Sequence, residues 1–104
     1  MICVREVVVL EEAAEDLAAG IAFYDAQELG VGQYFFASLV ADIASLRLHA
    51  GIHCVQFGFY RMLASRFPFA VYYDVAGGLA RVAAVLDMRR DPAWIRRELQ
   101  ERIG

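Results

Sequence analysis

The chain has 104 residues and a net charge of −3, which sets one domain, residues 1–104, as the starting expectation. Its apolar content of 60% exceeds the usual ~45–50%, so either the core is unusually full or apolar surface is covered by a partner. No apolar run approaches the ~18 residues of a membrane span, and the apolar start at Met1–Leu10 is interrupted by Arg5 and Glu6, unlike a secretory signal. A cytoplasmic protein without membrane association is expected, with Cys3 and Cys54 reduced and buried.

The acidic total argues against a protein built mainly around nucleic acid. Eight of the ten basic residues, however, fall between Arg61 and Arg102, so a local basic face is compatible with it. Lysine, asparagine and threonine are absent. The uniform use of arginine therefore says little about any one position.

Residues 2–9 are rich in β-branched side chains and predict a strand. Glu11, Glu12, Glu15 and Asp16 then favour the positive end of a helix dipole. The spacing of Leu17, Ile21 and Tyr24 carries that helix to about Leu29, where Gly30-Val31-Gly32 breaks it. A second helix follows, with an apolar stripe of Phe35, Leu39, Ile43 and Leu46 flanked by Phe36 and Val40, ending near Gly51. So short a break folds the two helices into an antiparallel hairpin.

The period then changes. Val55–Ser65, Pro68–Val75 and Leu79–Met88 read as three strands, with Ala76-Gly77-Gly78 as a hairpin turn. In the last strand Val82, Ala84 and Leu86 alternate against Arg81, Val85 and Asp87. Asp91 caps a final helix with Pro92 in its first turn, and Ile95, Leu99 and Ile103 form its apolar stripe. The fold class is α+β, ordered β-α-α-β-β-β-α, with a mainly antiparallel twisted sheet and the helical hairpin packed on one face.

Four groups could carry chemistry. Arg61, on one strand face with Phe59 and Leu63, needs a carboxylate or an anion among those apolar neighbours; a structural ion pair and an anion site are both open. Arg66 precedes a dense aromatic run in which Tyr72 and Tyr73 point to opposite faces, so only one can be a general acid or stacking platform. Arg81 lies on the following strand. Asp87, Arg89 and Arg90 lead into the helix capped by Asp91, where the arginines either bind phosphate or pair with Asp87 and Asp91. His49, His53 and Cys54 fall short of a zinc ligand set across Gly51, so no metal is expected.

Taken together, Ala14-Glu15-Asp16-Leu17, Phe23-Tyr24, Gly30-x-Gly32-x-x-Phe35, Asp42-Ile43, Tyr60-Arg61-Met62-Leu63, Arg66-Phe67-Pro68-Phe69-Ala70-Val71-Tyr72-Tyr73, Val85-Leu86-Asp87 and Arg89-Arg90-Asp91-Pro92 resemble the RelE/ParE toxin superfamily, which includes plasmid-stabilisation proteins. The resemblance spans nearly the whole chain. It implies the toxin component of a type II toxin–antitoxin system that arrests growth, is neutralised by a cognate antitoxin forming an oligomer with it, and needs no cofactor.

Family members divide between ribosome-dependent mRNA cleavage and DNA gyrase inhibition. Carried over by position, the nuclease reading gives Arg61, Arg89, Arg90 and Asp87 catalytic roles, and Arg66, Tyr72, Tyr73 and Arg81 binding roles. Asp87 stands where nuclease members often have a histidine, and it serves as a base only if its pocket raises its pKa. A degenerate, non-catalytic binding module is the alternative.

Overall fold

The computed structural model describes residues 4–102. Its elements are β1 (Glu6–Val9), α1 (Glu11–Gln27), α2 (Val31–Ala44), a one-turn α3 (Leu46–His49), β2 (Val55–Gln56), β3 (Phe59–Leu63), β4 (Phe69–Ala76), β5 (Leu79–Asp87) and α4 (Pro92–Glu101). Five strands form one sheet in the order β1-β5-β4-β3-β2. Only β1 runs parallel to its neighbour, β5; the other pairings are antiparallel. The expected class and the helical hairpin on one face are found.

The hairpin turn of the helices explains the glycine spacing seen in the sequence. Gly30 takes φ 94°, which favours glycine. A Cβ on Gly32 would lie 2.5 Å from the Ile21 carbonyl oxygen, so only glycine fits there. Asp25, from α1, accepts the Gly30 and Gly32 N–H groups at 3.2 and 2.8 Å, satisfying donors that a helix start leaves free. Phe35, Leu39, Ile43 and Leu46 are all buried against the sheet with Val71, Tyr73 and Val82.

Two predicted elements break. The helix expected to run to Gly51 ends at Ala44; Ser45 turns its hydroxyl onto the Asp42 carbonyl at 2.6 Å and starts the separate turn α3. The strand expected over Val55–Ser65 is two strands joined at Phe57-Gly58, with φ 56° and 87°. Such a pair of positive φ values matches the twist of a two-residue hairpin. Phe57 accepts the strain because its ring packs on the core in front of the sheet. The expected Gly77-Gly78 turn forms with the same positive φ at both residues. Cys54 is exposed rather than buried, because it lies in the loop before β2; Cys3 and Ile103 lie outside the described residues.

A register shift between Tyr72 and Tyr73 leaves Ala83 without a partner on β4. This bulge corrects the predicted alternation of β5. Val82 and Val85 both join the core under the helical hairpin, whereas Ala83, Ala84 and Leu86 join the core on the opposite face. That opposite face, the front, is not left open as expected: Ile95 and Leu99 of α4 pack there on Phe59, Tyr72 and Ala84. Helix α4 starts as predicted, with Asp91 accepting the Ala93 N–H at 3.0 Å.

Candidate functional site

The front of the sheet is built by alternation. Phe59 and Arg61 of β3, Ala70 and Tyr72 of β4, and Ala84 and Leu86 of β5 share it, since each lies two residues from the next on its strand and the apolar members form one core. Arg61 stands directly opposite Tyr72 in the β3–β4 register. It is half-exposed and has no carboxylate within ion-pair distance among the described residues. Tyr72 is 1% exposed. Burial pushes its hydroxyl pKa up, and the neighbouring Arg61 charge opposes that only in part. Tyr72 therefore remains a neutral hydroxyl beside a fixed positive charge.

The other predicted residues are dispersed. Arg81 is on the front but is engaged by Asp74, its cross-strand partner, through bonds of 2.8 and 2.7 Å. Asp87 is carried to the opposite face by the bulge, opposite Phe69 of the helix-side core. There Arg89 holds it with side-chain bonds of 3.0 and 2.7 Å and a backbone N–H bond of 2.8 Å. These bonds pull the Asp87 pKa below its usual value and raise that of Arg89. Asp87 is thus an ionised ligand of Arg89, opposite to what a proton acceptor near neutral pH requires. Arg90 stacks on Trp94 at 3.7 Å. Arg66 leaves the sheet and donates to the Tyr34 hydroxyl at 3.2 Å.

Tyr73 faces the helices, as the opposite-face expectation for the two tyrosines requires. Its hydroxyl accepts the Gly51 N–H at 2.9 Å and lies 2.6 Å from His53 Nδ1. Its ring stacks on Tyr60. These bonds pin the loop between α3 and β2. Burial, aided by the charge of His49, lowers the His53 pKa. As pH falls below about 6.5 the unfolded chain takes up that proton before the folded one. The expected result is stability that is full above pH ~6.5 and is lost as pH falls through the lower folded value. Thermal melts between pH 7.5 and 5.5 check this; a slope unchanged by His53→Gln would contradict it.

One ionic cluster was not legible beforehand. Arg102, at the end of α4, has a side chain only 8% exposed, and Asp16 of α1 is 15% exposed. Arg102 donates to both Asp16 carboxylate oxygens, to Glu98 at 3.0 Å and to the Ala83 carbonyl at 3.2 Å. Asp16 also accepts the Val85 N–H at 2.9 Å. The cluster closes the edge of β5 where β1 has ended, and it fastens α4 over the front. Asp16 was visible as part of Ala14-Glu15-Asp16-Leu17; for Arg102 the only local signal was its spacing of four from Glu98, which suggests an ordinary surface pair.

Beside this cluster a groove of about 320 Å3 runs between α1 and α4, lined by Gly20, Phe23, Asp87, Arg90 and Trp94 among others. Among the described residues no three His, Cys, Asp or Glu side chains converge as a metal site would need, and no helix is long and apolar enough to cross a membrane. What the front of the sheet offers at β3 and β4 is the Arg61 guanidinium with no carboxylate partner among the described residues, a neutral tyrosine hydroxyl and apolar surface. That set can bind an anion or a protein surface.

No protein-family model and no curated protein matches the chain. Among solved structures, a chain from one described as the chromosomal ParDE TA system from P. aeruginosa superposes with a TM-score of 0.69 at 18% identity, covering 77% of this chain and 91% of that one. At that identity it is architecture that is shared: the chain has the α+β fold of that ParDE-system chain.

Proposed function

We propose that the chain is the toxin half of a type II toxin–antitoxin pair, arresting growth until a cognate antitoxin binds it. The observation that carries this reading is the fold likeness to a chain of a ParDE system over most of both chains, together with the residue series that resembles the same superfamily. Of the two actions known in that superfamily, we favour inhibition of a protein target such as DNA gyrase over cleavage of mRNA on the ribosome. The favouring observation is the state of Asp87, ionised and occupied by Arg89, which leaves the nuclease reading without a base in the nominated set. In the same reading Arg61 is an anchor for an acidic group of the target, and Arg81 and Arg90 position the surface around it through Asp74 and Trp94.

Expression of the chain alone in a bacterial host is expected to stop growth, and Arg61→Ala, at equal soluble expression, to relieve the arrest. Purified protein should accumulate cleaved-DNA complexes with gyrase and leave mRNA on translating ribosomes intact. Ribosome-dependent cleavage that Arg61→Ala abolishes would reverse the choice of mechanism. Normal growth at confirmed soluble expression would favour a non-catalytic binding module instead.

A further inference from the structure

We propose that the groove between α1 and α4 binds a small, free aromatic acid, its flat ring held between Phe23 and Trp94 and its single carboxylate paired with Arg90. The groove holds about 320 Å3, the small end of the range for small-molecule sites. Neither Arg61 nor Tyr72 lines it, so it is separate from the surface on β3 and β4. The inference is also independent of the toxin reading, because it rests on the groove's own shape and charge.

Two aromatic walls set the shape. Phe23 of α1 is 49% exposed, and its ring is steadied by an edge contact with Tyr24 at 5.1 Å. Trp94 stands on the α4 wall. Between them α1 presents Ala19 and Gly20, whose side chains are too small to fill the space. An apolar slot lined by two aromatic surfaces favours a flat ring, because aromatic pairs gain from stacking beyond the area they bury.

The charge of the ligand follows from which groups are already taken. Two carboxylates line the groove, and both are occupied: Asp16 by Arg102 and Asp87 by Arg89. Arg90 has no ion-pair partner among the described residues. Its guanidinium lies 3.7 Å from the centre of the Trp94 ring. Stacking of that kind uses the flat face of the group and leaves its in-plane N–H donors free. Those donors match a carboxylate in two parallel hydrogen bonds. One free cation balances one negative charge. A phosphate dianion would bring a second charge close to Asp16 and Asp87 with nothing to compensate it. The geometry therefore selects a monocarboxylate on a ring of one or two fused cycles.

The test uses the full chain labelled with heavy nitrogen and the probe indole-3-acetate, beside its uncharged analogue indole-3-ethanol. Trp94 is the only tryptophan, so its indole N–H gives one unambiguous signal in the nitrogen–proton correlation spectrum. Indole-3-acetate should shift that signal saturably, with Kd on the order of 0.1–1 mM for a ligand of this size. The alcohol should bind about tenfold more weakly, lacking the charge-assisted pair. Arg90→Gln should erase the preference for the acid while leaving binding of the alcohol unchanged. Phe23→Ser should weaken both by about fivefold or more. Both positions are exposed, so the fold should survive either change. No saturable shift up to about 10 mM, or a preference for the acid that persists in Arg90→Gln, would overturn the proposal. Tighter binding of adenosine monophosphate than of indole-3-acetate would overturn it in favour of a nucleotide.

Discussion

Asp16→Ala is expected to destabilise the fold by about 3 kcal/mol, the lower end of the cost of breaking a buried ion pair, because Arg102 keeps its pairs with Glu98 and, at 3.6 Å, Glu12. Arg102 would keep only Glu98 and the Ala83 carbonyl as hydrogen-bond acceptors, and the Val85 N–H would lose the acceptor that closes the β5 edge. Both groups lie where water reaches poorly, since the two side chains are 8% and 15% exposed. Urea denaturation followed by circular dichroism measures the loss. The double change Asp16→Leu with Arg102→Met is expected to recover much of it, because an apolar pair removes the uncompensated charge together with its desolvation cost. A single-variant loss under about 1 kcal/mol would class the cluster with exposed ion pairs. The functional consequence is testable in the same variants: with the cluster gone, α4 is held on the front mainly by Ile95 and Leu99, and its amides should exchange far faster.

Phe35→Ala is expected to cost about 3–5 kcal/mol, the range for deleting a fully buried aromatic side chain. Phe35 is 0% exposed and sits at the centre of an aromatic cluster. Its ring lies 5.1 Å from Tyr24, 5.1 Å from Phe67 and 4.9 Å from Phe69, so α1, α2 and the start of β4 all pack on it. Gly20 shows how tight that packing is: a Cβ there would lie 2.5 Å from the Phe35 ring. Gly20→Ala therefore pits a helix-propensity gain of about 1 kcal/mol against overpacking of about 1–3 kcal/mol, and net destabilisation is expected. Coupling between the sites follows, because a smaller ring makes room for the methyl group. Gly20→Ala should be less harmful in a Phe35→Leu background than in the parent, and equal penalties in the two backgrounds would contradict the contact.

The two clusters differ in how far the sequence disclosed them. Phe35 was placed by its helical stripe, and Gly30 and Gly32 by the break between helices, because these signals lie within a few residues of one another. The bulge at Ala83 carries no comparable mark. Val82-Ala83-Ala84-Val85 reads as ordinary alternation, and the insertion shows only when β4 is laid alongside. That one residue puts Arg81 and Asp87 on opposite faces of the sheet and so parts an expected binding residue from an expected catalytic one. The turn at Phe57-Gly58 was hidden for a related reason: phenylalanine is a poor choice for a positive φ, and its ring is secured by contacts with residues distant in sequence.

The sequence alone determined the α+β class, the helical hairpin, the Gly77-Gly78 turn, the capped start of α4 and the opposite facing of Tyr72 and Tyr73, because each follows from backbone periodicity or local hydrogen bonding. Only the tertiary structure decided which arginines are free. Arg81 and Arg89 are committed to carboxylates and Arg102 to one 86 residues away, while Arg61 is left beside Tyr72 without one. Charge pairing depends on distance in space, and that distance was set by strand order, a one-residue bulge and the return of α4 over the front.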